Sequence, residues 1–114
     1  MRILVLGGNG FIGKNIIRAL SKKKIYSLTC VSKSEIKIDD VIESVSYKKI
    51  DVKKEFIKLG KLIDQNEVII NLIGETKKTI EMEDLNYNFV VKLVNYIISS
   101  ENEKRLIQVS SVGV

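Results

Sequence analysis

The segment Leu6-Gly7-Gly8-Asn9-Gly10-Phe11-Ile12-Gly13 constrains this chain most, because its glycines join an apolar run to a helical pattern. Residues 2–6 are dense in Ile, Leu and Val without polar alternation, which predicts a strand buried on both faces. Residues 11–20 then repeat Ile12, Ile16, Ile17 and Leu20 at helical spacing. In a strand–turn–helix unit of this kind, Gly7 permits the tight turn and Gly10 leaves the backbone bare for a pyrophosphate. Gly13 lets the helix pack closely, and the first N–H groups, around Phe11 and Ile12, face phosphate oxygens along the helix dipole. Glycine spacing alone is weak. Placed after a first strand and before an amphipathic helix, it points to a bound dinucleotide.

The same residues also spell a competing motif. Gly8 and Gly13 stand five apart and Lys14 follows, as in the phosphate loop of ATPases. That loop needs Ser or Thr next to hold magnesium, and position 15 is Asn. The later strand at residues 67–73 lacks a terminal aspartate to supply the second magnesium contact. The dinucleotide reading is therefore preferred, with no metal site.

The rest of the chain alternates short apolar runs with amphipathic ones. Further strands are expected at residues 26–31, 45–50, 67–73 and 105–109, and helices at 52–63 and 80–98. The stripe of the second helix is Val52, Phe56, Leu59 and Ile63. That of the third is Met82, Leu85, Phe89, Leu93, Val94 and Ile97. Residues 35–43 fit either irregular backbone or a short helix. Apolar strands alternating with helices imply an α/β, Rossmann-type, doubly wound parallel sheet of five strands in order 3-2-1-4-5. Residues 1–114 read as one NAD(P)-binding domain, the N-terminal portion of a Rossmann-type fold, ending after the fifth strand and leaving that strand's edge open to self-association.

Several functions are excluded by what the chain lacks. It has no histidine, which removes Ser-His-Asp and Cys-His catalysis and histidine-bound zinc. Its one cysteine, Cys30, lies in an apolar run and reads as a core thiol. The net charge is +5, but the lysines are scattered among acids and no aromatic residues alternate with them, so nucleic acid is not an expected partner. No apolar run approaches the length of a membrane span and no signal peptide precedes the first strand, so a cytoplasmic location is expected.

Taken together, these residues resemble the extended or atypical short-chain dehydrogenase/reductase family of NAD-dependent sugar epimerases and dehydratases. Gly7-Gly8-Asn9-Gly10-Phe11-Ile12-Gly13 is similar to that family's nucleotide loop, with Leu6 in place of the usual threonine. Asp51-Val52 is similar to its adenine-contacting pair, although Asp51 also suits the cap of a helix beginning near Val52. Asn71-Leu72-Ile73-Gly74 resembles the close of the fourth strand, where Leu72, Ile73 and Gly74 would line the adenosine side. Asn86 matches an asparagine that helps hold the cofactor loop, and Ser111 a hydroxyl that touches substrate. Asn71-Leu72-Ile73-Gly74-Glu75 most resembles the branch related to an NADPH-binding accessory subunit of respiratory complex I.

The resemblance implies hydride transfer on a nucleotide-sugar or similar hydroxyl or carbonyl substrate, with a tyrosine as general acid or base and a lysine four residues later. No tyrosine here has that lysine: Tyr26, Tyr47, Tyr87 and Tyr96 are followed at that offset by Cys30, Asp51, Val91 and Ser100. The chain is thus expected to hold cofactor without completing the reaction. The alternative is a non-catalytic NADP(H)-binding module. The end of the second strand, Val31-Ser32-Lys33-Ser34, offers hydroxyls and an ammonium where NAD-selective domains place an acid. Ser32 and Lys33 therefore favour NADP(H) over NAD(H), unless Lys33 is only a surface lysine.

Overall fold

The computed structural model describes residues 1–73 and 87–109. Five strands, β1 (Arg2–Leu6), β2 (Ser27–Ser32), β3 (Val45–Lys49), β4 (Val68–Asn71) and β5 (Arg105–Gln108), form one sheet in the order β3-β2-β1-β4-β5. Every pairing is parallel, with Leu4 opposite Thr29 on one side and Ile69 on the other. Among the described residues, three α-helices follow β1, β3 and β4 in turn: α1 (Phe11–Ser21), α2 (Phe56–Asp64) and α3 (Phe89–Ile98). The expected strand order is the one observed.

The burial of the central strands follows from their alternation. Leu4 and Leu6 of β1 and Ile69 of β4 pack on one face with Leu59 and Ile63 of α2 and Phe89 and Leu93 of α3. Ile3, Val5, Val68 and Ile70 point to the opposite face, against Ile17 of α1 and Cys30 of β2. A parallel sheet covered on both sides needs apolar residues at every position, which is why these strands read as continuous apolar runs. Burial of each such side chain contributes about 1.5–3 kcal/mol.

Two expectations about helices are corrected. Ile12, placed on the buried stripe of α1, is 56% exposed. The first turn of α1 lies against the glycine loop instead of the strands, and Ile17 is the residue of that stripe that reaches full burial. The second helix starts at Phe56, not near Val52. Asp51 Oδ1 accepts hydrogen bonds from the N–H groups of Lys53 (3.0 Å) and Lys54 (3.3 Å), while the Asp51 carbonyl accepts from Glu55 N at 2.7 Å. Glu55 Oε1 in return accepts the Asp51 N–H at 3.1 Å. Asp51 therefore locks a turn ahead of the helix and does not cap the helix itself. Residues 38–40 of the ambiguous stretch form one turn of 3₁₀ helix, Ile38–Asp40.

Candidate dinucleotide-binding site

The glycine loop stands at the carboxyl end of β1, the central strand. Gly7 has a φ of +84°, the left-handed region that disfavours any side chain. Its N–H donates to Val31 O of β2 at 2.8 Å, and an added Cβ would stand 3.1–3.2 Å from Leu72 and Ile73 atoms. The loop is thus wedged between the ends of β2 and β4. Leu72 N donates to Leu6 O at 2.9 Å and extends the β4 side of this wedge.

Gly13 and Gly10 differ in what surrounds them. A Cβ on Gly13 would lie 2.7 Å from both Gly7 O and Gly8 Cα, so the first turn of α1 rests directly on loop backbone. Around Gly10 a Cβ would meet nothing within 4 Å. Gly10 is also the N-cap of α1 and brings no side chain to it, with the first helical bond running from Lys14 N to Gly10 O at 2.9 Å. The N–H groups of Phe11, Ile12 and Gly13 have no acceptor among the described residues. Open space over bare backbone, next to unpaired donors at the positive end of a helix, fits the pyrophosphate of a dinucleotide. Phe11 is 83% exposed beside this space.

Gly8 has a part that spacing did not reveal. A Cβ there would collide with the Cys30 sulfur and with Ile17 Cδ1, so this second glycine seats the loop on the core. Burial pushes the Cys30 thiol up to about 11, partly offset by a backbone hydrogen bond with Gly8. It remains a neutral packing group at neutral pH. The Lys14 ammonium, which suggested a phosphate loop, pairs with Asp40 Oδ2 at 3.0 Å. That half-buried ion pair ties α1 to the 3₁₀ turn and engages the charge an ATPase would use on phosphate.

At the end of β2, Ser32 is buried and its hydroxyl donates to Ser34 O at 2.6 Å, which commits its one proton. Lys33 is exposed. Burial works to raise the Asp51 carboxyl, but the Lys53 and Lys54 N–H groups and the charges of Lys33 and Lys54 outweigh it and hold it below its ordinary value. Lys33 and Asp51 therefore face the same region beyond the ends of β2 and β3.

Val52 is buried in the core and also lines a cavity of about 210 Å³ with Lys53, Asn88, Phe89 and Lys92. Asn88, two positions beyond the expected Asn86, is the asparagine at this cavity. Asn86, Gly74 and Ser111 lie outside the described residues. Asn71, first residue of the segment likened to the close of the fourth strand, is fully buried at the end of β4 and has a structural part that the resemblance did not imply. Its Oδ1 accepts from Ile73 N at 3.1 Å and its amide donates to Gln108 Oε1 at 2.8 Å. A polar residue closing an otherwise apolar strand was the signal for it.

Comparison with known proteins bears on this geometry. A family model described as the NAD dependent epimerase/dehydratase family matches residues 3–114. No curated protein matches. Among solved structures, UDP-glucose 4-epimerase from Thermotoga maritima, determined with UDP-glucose, is 20% identical with a TM-score of 0.81. The match covers 99% of this chain and 38% of that one. UDP-glucuronic acid 4-epimerase from Bacillus cereus, in complex with UDP-glucuronic acid and NAD, is 20% identical with a TM-score of 0.81, covering 100% and 41%. dTDP-glucose 4,6-dehydratase from Bacillus anthracis, in complex with NAD, is 25% identical with a TM-score of 0.79, covering 96% and 37%. The chain spans about two fifths of the length of each. Among the described residues, no helix is long and apolar enough to cross a membrane.

Proposed function

The chain belongs to the NAD dependent epimerase/dehydratase family, and from that premise we propose that it is the NADP(H)-holding part of a protein that acts by hydride transfer on a nucleotide sugar or similar substrate. The observation that carries this reading is the contrast within the glycine loop. Gly7 and Gly13 are closed in by backbone and Gly10 alone is open, so the loop is built around one vacant approach to its N–H groups.

Residues of the chain divide the work of holding such a cofactor. The backbone of Gly10, Phe11, Ile12 and Gly13 would take the pyrophosphate. Leu72 and Ile73, with Gly74 beyond them, would line the adenosine side. Asp51 and Val52 would stand by the adenine, and Asn86 or the cavity-lining Asn88 would steady the surrounding loop. A bound nicotinamide supplies the hydride donor or acceptor. Ser111 is the hydroxyl we assign to the substrate oxygen. The chain contains no tyrosine with a lysine four residues on, so we assign the proton-transferring pair to no residue within it.

The preference for NADP(H) rests on Lys33. Its ammonium is exposed beyond β2, where its charge already acts on the Asp51 carboxyl, and it would pair with a 2′-phosphate. Calorimetric titration with NADH and NADPH tests both levels of the reading. Gly10→Val should abolish binding of both by filling the open approach, and Lys33→Ala should weaken NADPH about tenfold while sparing NADH. Unchanged affinity in Gly10→Val would overturn the site. Equal affinities of the wild-type chain for the two cofactors would overturn the preference.

A further inference from the structure

The glycine loop and the end of β2 are joined by a hydrogen-bond chain that has a direction. Asn9 Nδ2 donates to Ser34 Oγ at 3.3 Å, bridging the loop to the residue after Lys33. Ser34 O accepts the Ser32 hydroxyl at 2.6 Å, and Ser32 O accepts Ile50 N at 2.9 Å. Ser34 is thereby held at its carbonyl by a buried serine and at its hydroxyl by the glycine loop. A serine hydroxyl has one proton and two lone pairs. With Asn9 occupying a lone pair, that proton is directed elsewhere, and the Ser34 side chain is exposed to receive a ligand acceptor.

We propose that Asn9 is a positioning residue for cofactor selectivity, holding Ser34 so that its hydroxyl donates to the 2′-phosphate of NADP(H). The inference rests on the dinucleotide reading above. In that reading the pyrophosphate sits on the glycine loop and the adjoining ribose reaches the end of β2. Ser34 and Lys33 then act on the same group from neighbouring positions, one by a directed hydrogen bond and one by charge. Ser32 serves the arrangement from below, its own proton spent on the Ser34 carbonyl.

The test is calorimetric titration of the 114-residue chain with NADPH and with NADH, for wild type, Asn9→Ala, Asn9→Asp, Ser34→Ala and the Asn9→Ala/Ser34→Ala pair. A hydrogen bond to a charged group lost on each single alanine should lower the NADPH-to-NADH affinity ratio about tenfold. The double variant should fall no further than Ser34→Ala, because Asn9 acts through Ser34. Asn9→Asp should lower the ratio most, since a carboxylate only accepts and would turn the Ser34 proton toward itself. A merely structural loop contact would shift both affinities together and leave the ratio alone. An unchanged ratio, or additive losses in the double variant, overturns the inference while dinucleotide binding stands. Failure of the wild-type chain to bind either cofactor overturns the underlying reading, and the inference with it.

Discussion

Asn71 and Gln108 face each other at the carboxyl ends of β4 and β5, joined by a 2.8 Å hydrogen bond from the Asn71 amide to Gln108 Oε1. The other half of the Asn71 amide accepts the Ile73 N–H, so one buried side chain both closes the sheet and shapes the chain leaving β4. That departing chain is what Gly7 rests on. Asn71→Leu would preserve volume but leave the Ile73 N–H without its acceptor. It should lower stability by about 1–3 kcal/mol, read as a fall in the urea midpoint. A midpoint equal to wild type would show that the amide is dispensable.

Gly13 and Gly10 predict different responses to one added methyl. Gly13→Ala drives a Cβ into the Gly7 and Gly8 backbone and should cost about 1–3 kcal/mol as α1 is pushed off the loop. Gly10→Ala meets open space, and with φ −79° and ψ 173° its backbone suits any residue. Its stability should stay within about 0.5 kcal/mol of wild type. Thermal melts of the two variants side by side check this, and equal destabilisation would contradict the packing described for Gly13.

Cys30 should resist thiol reagents until the fold opens. Its pKa is raised from the ordinary 9.0 to about 11, so the folded chain holds it neutral while the unfolded chain ionises. A raised folded value stabilises below pH 9.0 and loses that contribution as the pH climbs toward 11. The urea midpoint should fall across that window in wild type, and less so in Cys30→Ala once the cavity cost is subtracted. Rapid, stoichiometric labelling of the native chain at pH 8 would contradict the burial of this thiol.

Asp51 predicts the opposite pH limb. Its carboxyl is held below the ordinary 3.8, net of an opposing burial effect, by the N–H groups of Lys53 and Lys54 and the charges of Lys33 and Lys54. A depressed folded value stabilises above 3.8, and that contribution disappears as the pH falls through the folded value. Wild type should therefore be more stable than Asp51→Ala at neutral pH, and the gap should close below pH 3.8. A gap that persists in acid would assign the effect to packing of the turn instead of charge.

Much of the architecture was legible in the residues because it depends on period. Continuous apolar runs at residues 3–6 and 68–70 require a sheet covered on both faces, and the glycines between strand and helix require a tight turn at its carboxyl edge. Those local patterns sufficed for strand order 3-2-1-4-5 through the handedness of parallel crossovers. The sequence alone also determined that Gly7, Gly10 and Gly13 belong to one strand–turn–helix junction. It did not determine which contact each glycine makes. That Gly8 seats on Cys30, that Gly13 touches loop backbone, and that Gly10 is open depend on the path the folded backbone takes. The same holds for Asp51, whose carboxylate meets N–H groups two and three residues on and starts a turn, so the helix waits until Phe56. Ser32 and Ser34 look alike as a pair of hydroxyls after a strand. Only the tertiary fold, by burying one and setting Asn9 beside the other, makes the Ser32 hydroxyl a donor to Ser34 O and the Ser34 hydroxyl an acceptor from Asn9. Hydrophobic period is a property of neighbours along the chain, whereas the direction of a hydrogen bond depends on which partner the folded backbone brings within 3.5 Å.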